Sequence, residues 1–335
     1  MVPVDQDYVN VMTRLSLDSS RHLAYDSLSY RPSPASIKNL TIRTSPPYED
    51  VGDSIADTER RLQRKARKDA GLPASEDVAV LGRTITRLRE KIEFELDTKI
   101  TSAILSVPHL VALYQDDVQD AFEHVGLEYL EPERYYKPLL WEAAAAYAGH
   151  GLGLCEHPDD PEACREEEEG MPEEVVYVVD YSRAALFTSL VVMQTATGLW
   201  EPDVRHRESF TLGLDGKARF TSEDAYWSAV KQYLQAIMVE NPFWKRPEKI
   251  ILVGDRVETE RFQGVLKQAI EETMGAMPTV FDKDAKTVAS KGAAALAWRR
   301  APRWPPNPAQ DGPPPRSDFS SLSRRAQKWA ESWGL

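Results

Sequence analysis

Two short segments constrain this chain more than any other feature: Val175-Val176-Tyr177-Val178-Val179-Asp180 and Lys249-Ile250-Ile251-Leu252-Val253. Each is bounded early and apolar at nearly every position, so each reads as a strand buried on both faces. Such strands need helices above and below them, which makes the fold class α/β. Ala184 to Ala196 and Glu208 to Leu214 read as two further strands, giving a three-stranded meander with Val175–Asp180. Ser222 to Met238 reads as a helix, with Ser222 as N-cap and Tyr226, Val230, Tyr233, Leu234 and Ile237 as its inner face. Helices are also expected over Glu258–Met274 and Lys286–Arg299, so the order is β-β-β-α-β-α, a loop, then α.

Upstream, Thr101 to Val107 reads as a strand and Leu110 to Val125 as a helix ended by Gly126. A short strand over Leu127–Leu130 follows, then an Ala-rich helix over Leu139–Ala148 whose small side chains allow a close neighbour. Asp53 to Ala70 reads as a helix with a basic stripe, Arg60, Arg61, Arg64, Lys65, Arg67 and Lys68. That stripe is either a solvated face or a docking face for the acidic loop or an acidic partner. A second helix opens at Ser75, with Val80, Ile85, Leu88, Ile92 and Leu96 at helical spacing. Residues 1–50 carry only short β-like stretches.

The formal net charge of −12 is concentrated rather than spread. Glu156 to Glu174 contains ten acidic residues and one Arg, a local balance of −9, and the remainder carries −3. This segment, 151–174, reads as a disordered acidic loop. Both cysteines, Cys155 and Cys164, lie in it, and two reduced thiols are the expectation, with a loop-closing disulfide as the alternative. His150, Cys155, His157 and Cys164 together offer zinc-ligand chemistry, although H-x4-C-x-H-x6-C matches no standard zinc spacing.

Ala301 to Arg316 holds seven prolines and reads as an extended linker. Beyond it Phe319, Leu322, Ala326, Trp329 and Trp333 fall on one stripe of a terminal amphipathic helix, the best candidate for contact with a protein partner. No apolar run approaches the roughly 20 residues a membrane helix needs. The N-terminus lacks a signal-peptide pattern, so a cytoplasmic or nuclear location without membrane contact is expected. The acidic balance and the shortness of the basic helix argue against nucleic acid.

The β-β-β-α-β-α order resembles the repeated unit of the ribonuclease-H-like ATPases: actin, sugar kinases and the seventy-kilodalton heat-shock chaperones. The chaperone branch is the nearest in residues. Ala103-Ile104-Leu105-Ser106-Val107-Pro108, with Val125-Gly126-Leu127 after it, resembles the family's first connecting segment. WEAAAAYAG, Trp141 to Gly149, resembles the Ala-rich helix that follows. Val175–Asp180 is similar to the strand before the second phosphate loop, Ile250–Gly254 to the adenosine-binding turn, and Gly292-Ala293-Ala294 to the second connecting helix. The resemblance covers roughly residues 80–298.

It implies a two-lobed fold with a reduced second lobe: 1–150 as first lobe, 151–174 as acidic loop, 175–300 as second lobe, 301–317 as linker, 318–335 as terminal helix. It also assigns vestigial nucleotide positions to Asp180, Ser182, Arg183, Gly254, Asp255 and Gly292, with Asp180 the candidate metal holder or general base. Glu142 stands near the family's magnesium-water carboxylate, about two residues out of register.

The departures decide the expected function. Phosphate loops need glycines so that backbone N–H groups can approach the oxygens. Here the second loop is Asp180-Tyr181-Ser182-Arg183-Ala184-Ala185, with no glycine, and the first 50 residues contain no Asp-x-Gly loop followed by Thr or Ser. The adenosine turn has Asp255 where the family has a second glycine. Val253 lies only 73 positions after Asp180, too few for the subdomain that walls the family's adenine pocket. The expectation is a pseudo-ATPase that binds proteins and needs no cofactor. The alternative is a divergent ATP-binding enzyme, chaperone-like ATPase or small-molecule kinase, using ATP and magnesium.

Overall fold

The computed structural model describes residues 51–97, 99–108, 115–130, 139–198, 204–239 and 246–300. The expectations for residues 1–50, for the Pro-rich linker and for the amphipathic stripe from Phe319 to Trp333 fall outside these. In chain order the elements are α1 (Val51–Asp69), α2 (Glu76–Leu96), β1 (Ser102–Ala103), β2 (Ser106–Val107), α3 (Gln115–His124), β3 (Glu128–Tyr129), β4 (Leu140–Trp141) and α4 (Glu142–Gly149). Then come α5 (Pro161–Glu169), β5 (Glu174–Tyr181), β6 (Leu186–Met193), β7 (Val204–Ser209), a 3-10 turn (Leu214–Arg219) and α6 (Glu223–Val239). Last are β8 (Lys249–Val253), α7 (Glu260–Met274), β9 (Thr279–Phe281) and α8 (Val288–Arg300). The fold is α/β.

The central sheet has the order β7-β6-β5-β8-β9. β5, β6 and β7 form an antiparallel meander, while β8 runs parallel to β5 and β9 parallel to β8. The third strand comes earlier than its apolar residues suggested, at Val204–Ser209, and Leu214–Arg219 is a 3-10 turn instead. β9 fills the loop expected before the last helix; three residues are too few to show a period in sequence.

Alternation along β5 sends its side chains to two separate cores. Val175, Tyr177, Val179 and Tyr181 pack with Ile250 and Leu252 under α6 and α7, against Tyr226, Val230, Leu234, Phe262 and Leu266. Two buried tyrosines are satisfied there: Tyr181 donates to the Tyr226 hydroxyl (2.9 Å), which donates to the Leu212 carbonyl (2.9 Å). Val176 and Val178 face the other way, with Ile251 and Val253, toward the alanines of α4 and Val288, Ala293 and Leu296 of α8.

Helices α4 and α8 cross at very short range. A Cβ on Gly292 would lie 1.7 Å from the Ala145 carbonyl oxygen, and one on Gly149 would lie 2.0 Å from the Val288 carbonyl oxygen. The Ala-rich composition of α4 is therefore a packing requirement, as its small side chains suggested.

Two expectations need correction. The single strand over Thr101–Val107 is two pieces: β1 pairs with β3, and β2 with β4, both parallel. The inner face of α2 is set by Val78, Leu81 and Ile85, which are buried, whereas Leu88 and Ile92 are exposed.

The basic stripe on α1 finds its partners on α3. Arg60 pairs with Asp116 (2.8 Å), Arg64 with Asp117 (2.6 Å) and Asp120, and Lys68 with Asp120 (2.8 Å) and Glu123. Cations four residues apart on one helix meet carboxylates at matching spacing on the other. Arg64 is 7% exposed, so part of this face is interior rather than solvated.

Candidate functional site

The carboxyl ends of β5 and β8 lie side by side, at the point where the chain leaves the two strands toward opposite edges of the sheet. In open α/β sheets that crevice is where ligands bind. β5 ends in Asp180 and Tyr181, and Asp180 is the register partner of Val253. Gly254 follows with φ +105, and its N–H donates to the Ala285 carbonyl (3.0 Å). A Cβ there would come within 2.4 Å of the Tyr181 carbonyl oxygen and 2.5 Å of Asp180 Oδ1. Glycine is required on both counts, conformation and approach.

Carboxylates converge at this end. Burial holds the Asp180 carboxyl well above the usual range, and the neighbouring charges of Glu142 and Asp255 push it the same way. Burial also raises Glu142, to about 7. Glu142 opens α4 and is brought opposite β5 by the close α4–α8 crossing. Burial disfavours the charged form, so both groups keep protons to higher pH than ordinary carboxylic acids do, and for Asp180 the neighbouring negative charges add to the effect. The register argument had left Glu142 out of place, but in three dimensions it belongs with Asp180.

The wall beside these acids is formed by Pro108, Trp141, Phe187, Ser189, Val191 and His206, and the free space is about 10 Å³. That is room for about one water molecule, whereas sites for ligands of nucleotide size run to about 300–1,000 Å³. Ser189 and His206 were not singled out from the sequence. The signal was available, since Ser189 is a polar residue between Phe187 and Val191 on the inward face of an apolar strand. Ser189 Oγ lies 2.8 Å from His206 Nδ1, and His206 Nε2 lies 3.7 Å from Glu208 Oε2. Ser189 and His206 are register partners on β6 and β7, so strand pairing accounts for the contact.

The glycine-free loop after Asp180, which the sequence already marked as unable to cradle phosphate, is closed on itself. Ser182 N–H donates to the Ala185 carbonyl (3.0 Å), and Ala185 N–H donates to Ser182 Oγ (3.2 Å). The Ser182 and Arg183 carbonyls accept from the N–H groups of Leu214 and Asp215. Arg183 is exposed and paired with Asp215 at 3.1 Å. Gly292 does not join the site at all; it sits in the α4–α8 crossing. Asp180, Gly254 and Asp255 are thus brought together with Glu142, Ser182 and Arg183 lie on the adjoining loop, and Gly292 is elsewhere. Magnesium would suit the carboxylates as ligands, but the loop and crevice do not fit a nucleoside triphosphate.

The four zinc candidates do not converge. Cys155 and Cys164 form a disulfide, which corrects the expectation of two reduced thiols and occupies both sulfurs. His150 packs against Phe281 with ring centroids 5.2 Å apart, and His157 contacts Glu167. The acidic segment is also not a disordered loop, for it contains α5. Asp160 caps that helix, accepting from Glu162 N–H and Ala163 N–H, and Pro161 occupies its first turn. Gln194 donates to the carbonyls of Glu169 and Met171 and ties the end of the helix to the residue after β6.

No family model matches the chain, and no curated protein matches it. Among the described residues no helix is long and apolar enough to cross a membrane.

Proposed function

We propose that the chain is a catalytically degenerate relative of the actin-like, heat-shock-chaperone ATPases, with the ribonuclease-H-like topology reduced in its second lobe, and that it works as a protein-binding module without nucleotide turnover. Three features support the kinship. The sheet is a three-stranded antiparallel meander extended by two parallel strands. Two helices cross at Gly149 and Gly292. Asp180 stands at the end of β5 beside the Gly254 turn.

The loss of activity rests on one observation above all: the N–H groups of Ser182 and Ala185 donate within their own loop. A phosphate nest needs several backbone donors turned outward, and each charge-assisted bond forgone costs about 1.5–3 kcal/mol. Losing a few of them removes useful affinity at about 1.4 kcal/mol per tenfold. The protein-binding role falls to the stripe of Phe319, Leu322, Trp329 and Trp333. Deleting residues 318–335 should then change the set of proteins labelled around the chain in cells; an unchanged set excludes the tail.

Phosphate release from ATP and magnesium tests the loss of activity. Turnover should be no greater than that of an Asp180→Ala protein. A second reading, an active ATP-binding enzyme with Asp180 holding magnesium or acting as general base, draws on the three converging carboxylates. It requires turnover that Asp180→Ala abolishes.

A further inference from the structure

At the opposite end of β5 the disulfide sits in a setting that a simple cross-link does not need. Cys155 Sγ, Cys164 Sγ and a Glu168 carboxylate oxygen all lie within 4.8 Å of one another, with Cys164 Sγ 3.8 Å from Glu168 Oε1. Cys164 and Glu168 are one turn apart on α5 and share a face of it. Cys155 is buried, and Arg299 from α8 donates both to its carbonyl (2.8 Å) and to its sulfur (3.3 Å).

We propose that this is a redox-gated zinc site: reduction of the Cys155–Cys164 disulfide exposes two thiolates that, with Glu168, bind one Zn²⁺. A dithiol reductant supplies two electrons and two protons, becomes a disulfide itself, and leaves two thiols. Zinc then displaces the two thiol protons and takes Cys155 Sγ, Cys164 Sγ and a Glu168 oxygen, with the fourth position left to water. Tetrahedral zinc with Zn–S bonds of about 2.3 Å sets its two sulfurs roughly 3.8 Å apart. The Cα atoms of the two cysteines are 5.1 Å apart, and the side chains turn about them to reach that separation.

The surroundings favour the metal over bare thiols. A guanidinium against sulfur stabilises the thiolate, the form that binds metal. Two thiolates, a carboxylate and Zn²⁺ sum to −1, which Arg299 offsets while orienting Cys155 from outside the ligand set. Thiolate ligands select zinc over magnesium or calcium. The ligand set differs from the one the sequence suggested: Glu168 enters, His150 is held at Phe281 and His157 by Glu167.

The test uses the full chain, oxidised or reduced with a phosphine that is then removed, titrated anaerobically with Co²⁺ and then Zn²⁺. Reduced protein should take one Co²⁺ per chain with a sulfur-to-cobalt charge-transfer band, which zinc abolishes by displacement; oxidised protein should show no band. Glu168→Gln keeps both cysteines and the helix, so it keeps the argument testable if Cys164→Ser does not fold. It should weaken zinc by at least about tenfold, the smallest effect typical of losing even an outer-shell partner. Arg299→Gln should weaken it by about 10–100-fold. A reduced protein without the band, a Glu168→Gln protein that binds as wild type, or equal zinc uptake in both redox states (adsorption to surface carboxylates) would overturn the proposal.

Discussion

The two ends of β5 are both acidic, about 20 Å apart along the strand, and they handle charge in opposite ways. At the Glu174 end, where the sequence is most acidic, carboxylates have partners. Glu174 pairs with Lys249 and accepts from the Tyr147 hydroxyl (3.0 Å), Glu167 meets His157, and Arg165 bridges to Glu169 (2.8 Å). At the Asp180 end only three carboxylates matter, yet burial raises two of them, Asp180 and Glu142, above the usual carboxylate range. A count of acidic residues therefore points to the wrong end of the strand. What matters is whether burial comes with a cation.

Four substitutions sharpen or break this contrast. The largest effect belongs to the support both ends share, since α4 begins at Glu142 and α8 carries Arg299. Gly292→Val drives side-chain atoms into the Ala145 carbonyl and should cost more than about 3 kcal/mol in denaturant unfolding; a small change would mean that the crossing yields readily.

Glu142→Gln should act in the other direction. A carboxyl whose folded pKa is raised binds more protons folded than unfolded, so stability falls as pH rises from about 4.5 to about 7 and stays low above it. Removing the charge should stabilise the protein by about 1–3 kcal/mol at pH 8 and leave pH 4 nearly unchanged. Equal thermal shifts at both pH values would contradict a Glu142 carboxyl raised by burial.

Lys249→Met tests the opposite end with the opposite sign. It leaves Glu174 partly buried without its cation, and a loss of about 1–3 kcal/mol is expected at pH 8. A gain there would make the two ends alike. The smallest effect is Arg165→Ala on the exposed face of α5, which should move the melting midpoint by less than about 0.5 kcal/mol equivalent.

Much of the sheet was legible because its signal is local. Val175–Asp180 and Lys249–Val253 are apolar runs with sharp ends, and Tyr226, Val230, Leu234 and Ile237 repeat at helical spacing. Asp180 and Gly254 were legible as a pair only through the resemblance to the heat-shock-chaperone family, which places both at strand ends. What escaped depends on contacts far apart in sequence. The pairing of α1 with α3 joins residues more than 50 positions apart. Glu142 looked misplaced because register along a chain does not measure distance across a helix crossing. The order in the acidic segment hung on an Asp160 cap, a Pro161 first turn and a disulfide, each of which composition alone conceals.

Calorimetric titration of the purified chain with ATP and magnesium, with ADP in parallel, decides whether the proposed loss of nucleotide binding at the Asp180 end is real. No heat of binding at millimolar nucleotide is predicted for either ligand. Saturable binding at micromolar concentration, lost in Asp180→Ala, would contradict it and require a grip on phosphate other than the loop from Ser182 to Ala185.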